Sequence, residues 1–315
     1  IFLIIFIGNY LYGLYKISKS SYDFDRNINV KIVSPNFSLK DYSTQSEIDQ
    51  LKRLIQISDP EKNKKTLFIW PEGIFYESNL QNIALYKNLF VDKFSENHLI
   101  LLGINNFVYS EGLNDKKYFN SLVILNHELE ILYVYNKVNL VPFGEFLPFE
   151  NILSKFGLKK ITRGYNSFSA GDIRTIINLD SKFDDKMILP LICYEIIYPG
   201  KIKTKNQNPD LAINISEDAW FGQSIGPFQH FSKAIYRSIE EGIFVARSAN
   251  KGISAFINPN GEIIKSLDTG ESGNIELNFP YFDQATLFSN YGNKIFFLII
   301  LLYIFLTLIL KKFKI

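Results

Sequence analysis

Cys193 is the only cysteine in 315 residues, and it ends a short apolar run, Met187-Ile-Leu-Pro-Leu-Ile-Cys193. The run reads as a buried strand, and Tyr194-Glu195-Ile-Ile-Tyr-Pro199-Gly200 reads as a turn into a helix. A thiol at such a turn is held out at the end of a sheet, where it can act as a nucleophile. A lone cysteine is also commonly just a small buried hydrophobe, so its potential helpers decide between the two readings. Histidines supply little: His98 opens a strand, His127 sits in a hairpin turn, and His230 starts a helix as a weaker candidate set behind the site.

Carboxylates and lysines at strand ends are better placed. Glu72 follows Ile69-Trp70-Pro71, where the chain leaves an apolar strand and presents a carboxylate at its rim. Burial would lift the pKa of such a group and fit it to take a proton from a thiol. Lys137 follows a strand that ends at Tyr135, and a fixed ammonium there can stabilise an oxyanion. Taken singly, each is more often an ordinary surface residue. Together, Glu72, Lys137 and Cys193 at three strand ends make the set that a thiol acyl-transfer enzyme without histidine requires. No spacing suggests a metal site or an organic cofactor, and none is expected.

The elements that must position these groups alternate along the chain. Strand patterns cover Asn29–Val33, Thr66–Trp70, His98–Gly103, Asn120–Asn126, Ile131–Tyr135, Arg174–Leu179, Lys186–Cys193 and Leu211–Ile215. Three more follow at Phe244–Ser248, Gly252–Ile257 and Glu262–Ser266. Helical spacing marks residues 44–57, 82–94 and 227–242. Interleaved strands and helices with hairpins among them indicate a layered α/β domain.

Composition narrows the partners. A net charge of +2 with 21% charged residues gives no case for nucleic acid. The chain begins inside an apolar run, residues 1–15, which reads as the end of a membrane helix that starts before Ile1. A second uncharged run lies between Lys294 and Lys311; it would span roughly 24 Å, slightly short of a hydrocarbon core. The basic tail Lys311-Lys312-Phe313-Lys314 predicts a cytoplasmic C-terminus, with residues of about 20 to 290 on the other face. The segment from Leu147 to Gly171, with Phe149, Ile152, Leu153, Phe156 and Leu158, reads either as a flap dipping into lipid or as ordinary cover of the core.

Five blocks, in order, carry a family resemblance. They are Trp70-Pro71-Glu72, Lys137 through Glu145, Cys193-Tyr194-Glu195, Asn214 through Phe231, and Ala246 through Gly261 with its Asn258-Pro-Asn-Gly turn. The sequence resembles the nitrilase (carbon–nitrogen hydrolase) superfamily, and more narrowly its apolipoprotein N-acyltransferases. That resemblance implies an αββα sandwich at residues 29–279, flanked by transmembrane helices. Around it lie a linker at 16–28, a connector at 280–293, an anchor at 294–311 and a basic tail at 312–315. It also implies Glu72 as general base, Lys137 as oxyanion stabiliser and Cys193 as nucleophile, with the N–H after Cys193 adding to the oxyanion hole.

Glu145 and Glu195 would orient the lysine or the cysteine loop. Trp70 would sit by the base, although it and Tyr194 read equally as packing. The block Asp218-Ala-Trp220-Phe-Gly222 serves either as turn and core or as lining of an acyl-binding cleft. The implied reaction passes an acyl chain from a membrane phospholipid through a Cys193 thioester to the amine of a diacylglyceryl-modified apolipoprotein. It would take place on the extracytoplasmic face of the bacterial inner membrane. Fuller members carry more membrane helices before the catalytic domain, so the chain reads as N-terminally incomplete. The rivals are an amidase that releases the acyl group to water and a membrane-anchored binding protein with a dead site.

Overall fold

The computed structural model describes residues 2–109, 116–157, 167–200, 202, 208–281 and 285–312. In chain order its strands are β1 Phe24–Ser34, β2 Lys65–Ile69, β3 His98–Tyr109, β4 Lys116–Asn126, β5 Ile131–Asn136 and β6 Ile177–Asn178. They continue as β7 Met187–Ile192, β8 Leu211–Glu217, β9 Phe244–Asn250, β10 Ser254–Ile257, β11 Ile263–Leu267 and β12 Gly273–Pro280. One six-stranded sheet has the order β12-β1-β2-β3-β4-β5, and a second has the order β11-β10-β9-β8-β7-β6.

Alternation within each strand explains the layers. Val30, Ile32, Leu67, Ile69, Leu99 and Leu101 point from the first sheet towards Ile188, Ile192, Leu211, Ile213 and Ile215 of the second. Their neighbours Val33, Phe68, Trp70, Ile100 and Leu102 point the other way, onto Leu51, Leu54 and Ile55 of the helix Glu47–Ser58 and onto Phe90 and Phe94. On the far side, Leu189, Leu191 and Val245 pack under Phe231 and Ala234 of the helix Gly226–Glu241. Side chains on both faces of a strand are buried only when helices cover the outer faces, which gives the expected α-β-β-α sandwich.

Topology brings the strand ends together. β1, β2 and β3 run parallel, β3 is antiparallel to β4, and β4 is antiparallel to β5. Two reversals leave β5 running the same way as β2, so Glu72 and Lys137 leave the first sheet at one edge. In the second sheet β7, β8 and β9 are parallel, so Cys193 and Glu217 share an edge. β12 returns from the second sheet to pair antiparallel with β1 and close the first.

Three elements differ from the sequence reading. The strand expected at 174–179 shrinks to Ile177–Asn178, because Arg174 turns its side chain inward to an ion pair. The helix expected at 82–94 is a 3-10 segment, Leu80–Tyr86, followed by the short helix Lys87–Val91. β12 was not anticipated, although Ile275, Leu277 and Phe279 alternate with polar residues as a half-buried strand should.

Helices lie at both ends. Phe2–Lys19 is helical, and from Leu3 onward it is exposed except at Gly13. Lys294–Lys312 is the one helix among the described residues that is long and apolar enough to cross a membrane, and none of it is buried. Of the two flanking spans expected from sequence, this is the one that meets that test among the described residues. Asn9, Lys16 and Lys19, with three tyrosines and two glycines among the apolar residues, dilute the first helix. Leu158, Phe313 and Lys314 lie outside the described residues, as does the stretch 158–166 of the expected flap.

Candidate active site

Cys193 begins a 3-10 turn, Cys193–Ile197, directly after β7. Its φ of +49° is in the left-handed region, unusual for a residue with a Cβ. Such strain persists only where the surroundings hold it, and it is concentrated at functional sites. The thiol packs against the core between the sheets and is half-buried. Burial pushes its pKa up, Glu72 adds to the rise, and Lys137 opposes it.

Glu72 and Lys137 meet at this edge. The Lys137 ammonium, 1% exposed, lies 2.9 Å from Glu145 Oε1 and 3.7 Å from Glu72 Oε1. Burial works against its charge, but the two carboxylates and the Cys193 thiol outweigh that and raise its pKa. Asn120 Nδ2 donates to both carboxylates, at 2.6 Å to Glu72 and 2.8 Å to Glu145. Val141 N–H gives Glu145 a third donor at 2.8 Å. Glu145 is thus the direct partner of Lys137, and Glu72 stands farther from the ammonium. Burial raises the pKa of Glu72 despite Lys137, which is the direction a base needs if it is to give its proton back.

Glu72 also reaches across to the second sheet, where Glu217 N–H donates to its Oε2 at 3.0 Å. The approach is close enough that β3 needs Gly103 beside it: a Cβ there would stand 2.8 Å from Glu72 Cα. Burial drives the Glu217 carboxyl up to about 8 against donors from Ala219 N–H, Asn250 and Tyr42.

Glu195 is wholly buried and ties the lysine loop to the cysteine loop. Its Oε1 accepts from Val138 N–H at 2.9 Å, Asn139 N–H at 3.1 Å, Tyr135 Oη at 2.9 Å and Arg174 Nη2 at 2.9 Å. Its Oε2 accepts from Ile192 N–H at 2.9 Å. Behind the thiol, Ser216, Asp218, His230 and Arg247 form a second buried cluster. Arg247 Nη2 donates to Asp218 Oδ2 at 2.7 Å, and Asp218 Oδ1 accepts from the Ser216 hydroxyl at 2.7 Å. Burial opposes the Asp218 charge, yet Arg247 and His230 bring its pKa down to about 2. Burial and Arg247 lower the pKa of His230.

Glu72, Lys137, Cys193, Glu145 and Glu195 are therefore brought to one edge. Tyr194 lies beside them, half-buried, with its ring 6.3 Å from that of His230. Trp70 is on the outer face of the first sheet, against Phe90, with its Nε1–H donating to Ser58 Oγ at 2.9 Å. His98 is bonded to Ser95 and Glu61 backbone, away from the thiol. Asn120, Tyr135, Arg174 and Glu217 were not singled out from sequence, because no local spacing marks them. In the segments that follow Glu145 and Glu217, Phe149, Phe156, Trp220 and Ile225 are each more than half exposed, at 78%, 78%, 58% and 67%. Among the described residues no cluster of histidine, cysteine and carboxylates is arranged to hold a metal.

The carbon–nitrogen hydrolase family model matches residues 57–279. Among curated proteins, the apolipoprotein N-acyltransferase of Rhodopseudomonas palustris is 31% identical over 295 residues, covering 91% of this chain and 54% of that protein. The protein of the same name from Caulobacter vibrioides is 35% identical over 244 residues, covering 75% and 45%. The chain spans about half the length of the curated relatives it matches. Among solved structures, an amidase from Nesterenkonia sp. superposes with a TM-score of 0.55 at 13% identity, covering 82% of this chain and 94% of the amidase. A branch 10 member of the nitrilase superfamily from Saccharomyces cerevisiae gives 0.55 at 16%, covering 83% and 93%. These two likenesses concern the fold.

Proposed function

The chain belongs to the carbon–nitrogen hydrolase family, and from that premise we propose that it transfers an acyl chain from a membrane phospholipid to the amine of a diacylglyceryl-cysteine at the N-terminus of an apolipoprotein. The observation that carries the chemistry is the convergence of a strained thiol, a buried carboxylate and a buried ammonium at one edge of the sandwich. The names of the relatives, the exposed apolar helix Lys294–Lys312 and the exposed aromatic residues in the segments after Glu145 and Glu217 support a lipid substrate. They also support a place in the bacterial cytoplasmic membrane, with the catalytic domain on its outer face.

In the first half-reaction Glu72 takes the Cys193 proton as sulfur attacks the ester carbonyl. The carboxylate becomes neutral as an oxyanion forms beside Lys137 and the Tyr194 N–H, so the site keeps the same net charge through the step. A preorganised ammonium that needs no rearrangement is worth most where water is excluded. Collapse of the intermediate expels the lysophospholipid oxygen, which recovers the proton from Glu72 and leaves a thioester. The acceptor amine then attacks, passes its proton to Glu72, and the departing thiolate recovers it.

Phospholipid vesicles carrying a labelled acyl chain, mixed with a diacylglyceryl-cysteine peptide and this chain, test the reading. It requires labelled amide on the peptide with the wild-type chain and none with Cys193→Ala. Label released only as free fatty acid would assign the site to hydrolysis instead.

A further inference from the structure

The cluster behind Cys193 converges on one atom. His230 Nε2 lies 3.2 Å from the Cys193 carbonyl oxygen, and Asn214 Nδ2 donates to the same oxygen at 3.3 Å. Both side chains are themselves fixed: Arg247 Nη1 donates to Asn214 Oδ1, while His230 Nδ1 is 3.0 Å from Asp218 Oδ1 and 3.2 Å from Arg247 Nη2. Asn214, Asp218 and Arg247 are wholly buried and His230 is 4% exposed. The residues come from β8 and the turn after it, from β9 and from the helix Gly226–Glu241, so these elements are locked to one carbonyl.

A carbonyl oxygen only accepts, so the contact at 3.2 Å requires a proton on His230 Nε2. Nδ1 stands 3.0 Å from Asp218 Oδ1, and a proton there too lets the ring donate to that carboxylate, which also accepts from Arg247 and Ser216. The cluster thereby fixes the ring position from both of its nitrogens. The peptide unit is planar and trans, so its N–H points opposite to its C=O. Holding the Cys193 oxygen fixes the direction of the Tyr194 N–H, and it also braces Cys193 at its φ of +49°.

We propose that His230, held by Asp218 and Arg247, is a positioning residue that aims the Tyr194 N–H at the oxyanion by anchoring the Cys193 carbonyl. This rests on the reading of Cys193 as an acylated nucleophile, and it deepens that reading: the oxyanion hole is built from behind. His230 touches no reacting atom.

Two reactions of the single thiol separate aiming from folding. Acylation of Cys193 by p-nitrophenyl butyrate passes through an oxyanion, whereas alkylation by iodoacetamide does not. Both are measured on the full 315-residue chain in phospholipid–detergent micelles. His230→Gln keeps a donor near the position of Nε2, and His230→Asn keeps one only near Nδ1. The expected result is acylation about 10- to 100-fold slower in His230→Asn, below the loss from removing an oxyanion donor outright. Alkylation of the same variant stays within about twofold of wild type, and His230→Gln recovers most of the acylation rate. Equal acylation in Asn and Gln variants would overturn the proposal, as would a parallel fall in alkylation, which marks general damage. A wild-type chain that is alkylated but never acylated would instead defeat the nucleophile reading, and the inference with it.

Discussion

Two carboxylates flank one lysine at the thiol, a third lies behind Glu72, and their environments give them different work. Glu145 accepts from Lys137, Asn120 and Val141 N–H and stays a counter-ion. Glu72 has the raised pKa and lies farther from the ammonium, at 3.7 Å against 2.9 Å for Glu145. Because its base form exists only above that raised pKa, Cys193 acylation should climb with pH through a value above the ordinary glutamate range. In Glu72→Gln the rate should fall by about 10²- to 10⁴-fold and the climb should vanish, checked by pH–rate profiles. Glu217 behaves differently. Its folded-state value near 8 exceeds that of an unfolded glutamate, so the folded chain binds the extra proton. Its contribution to stability is full below the unfolded value and declines as pH rises to about 8, a decline that Glu217→Gln should remove from denaturation curves measured across that window. Glu72, Lys137 and Cys193 were visible in the sequence because each follows a recognisable strand. Glu217 was not, because its role comes from the meeting of two sheets 145 residues apart in sequence.

At the scale of elements, the site depends on loops tied together rather than on strands alone. Glu195 joins the turn after β7 to the loop after β5, and Arg174 completes that tie from a segment that reads as a strand by pattern. Glu195→Ala leaves Arg174 buried beside an empty acceptor site, and breaking a buried pair in this way costs about 3–5 kcal/mol. Chemical denaturation should show a loss of that order, with acylation impaired in whatever remains folded; an unchanged midpoint would mean that the tie carries no weight. Period-2 alternation exposed most strands, and helical spacing exposed Glu47–Ser58 and Gly226–Glu241. It failed at Arg174, where a tertiary ion pair overrides the local pattern. It also failed at 82–94, where a 3-10 segment replaces the first turns of the expected helix. β12 carried the right alternation and was passed over; its pairing with β1 is a contact across most of the chain, which no local window contains.

For the whole molecule the question is how a water-facing sandwich meets a lipid. A helix that is apolar all round belongs in a core or in a bilayer, and nothing in the fold covers Lys294–Lys312. A lysine near the middle of a spanning helix costs about 2.5–3.5 kcal/mol. Leu301→Lys with Ile304→Lys should therefore raise the fraction of the chain released from membranes by alkaline carbonate; equal release would show that this helix is not what holds it. Just before this helix, Gly292 packs against Gly200, which follows shortly after the cysteine turn. All of this bears on one claim, that Cys193 carries the acyl chain. The direct measurement is intact-protein mass spectrometry after incubation with phospholipid vesicles in the absence of any amine acceptor. The account predicts one added acyl mass on the wild-type chain, removed by hydroxylamine and absent from Cys193→Ala. A wild-type chain recovered with its thiol unmodified, or an adduct that survives in Cys193→Ala, would contradict it.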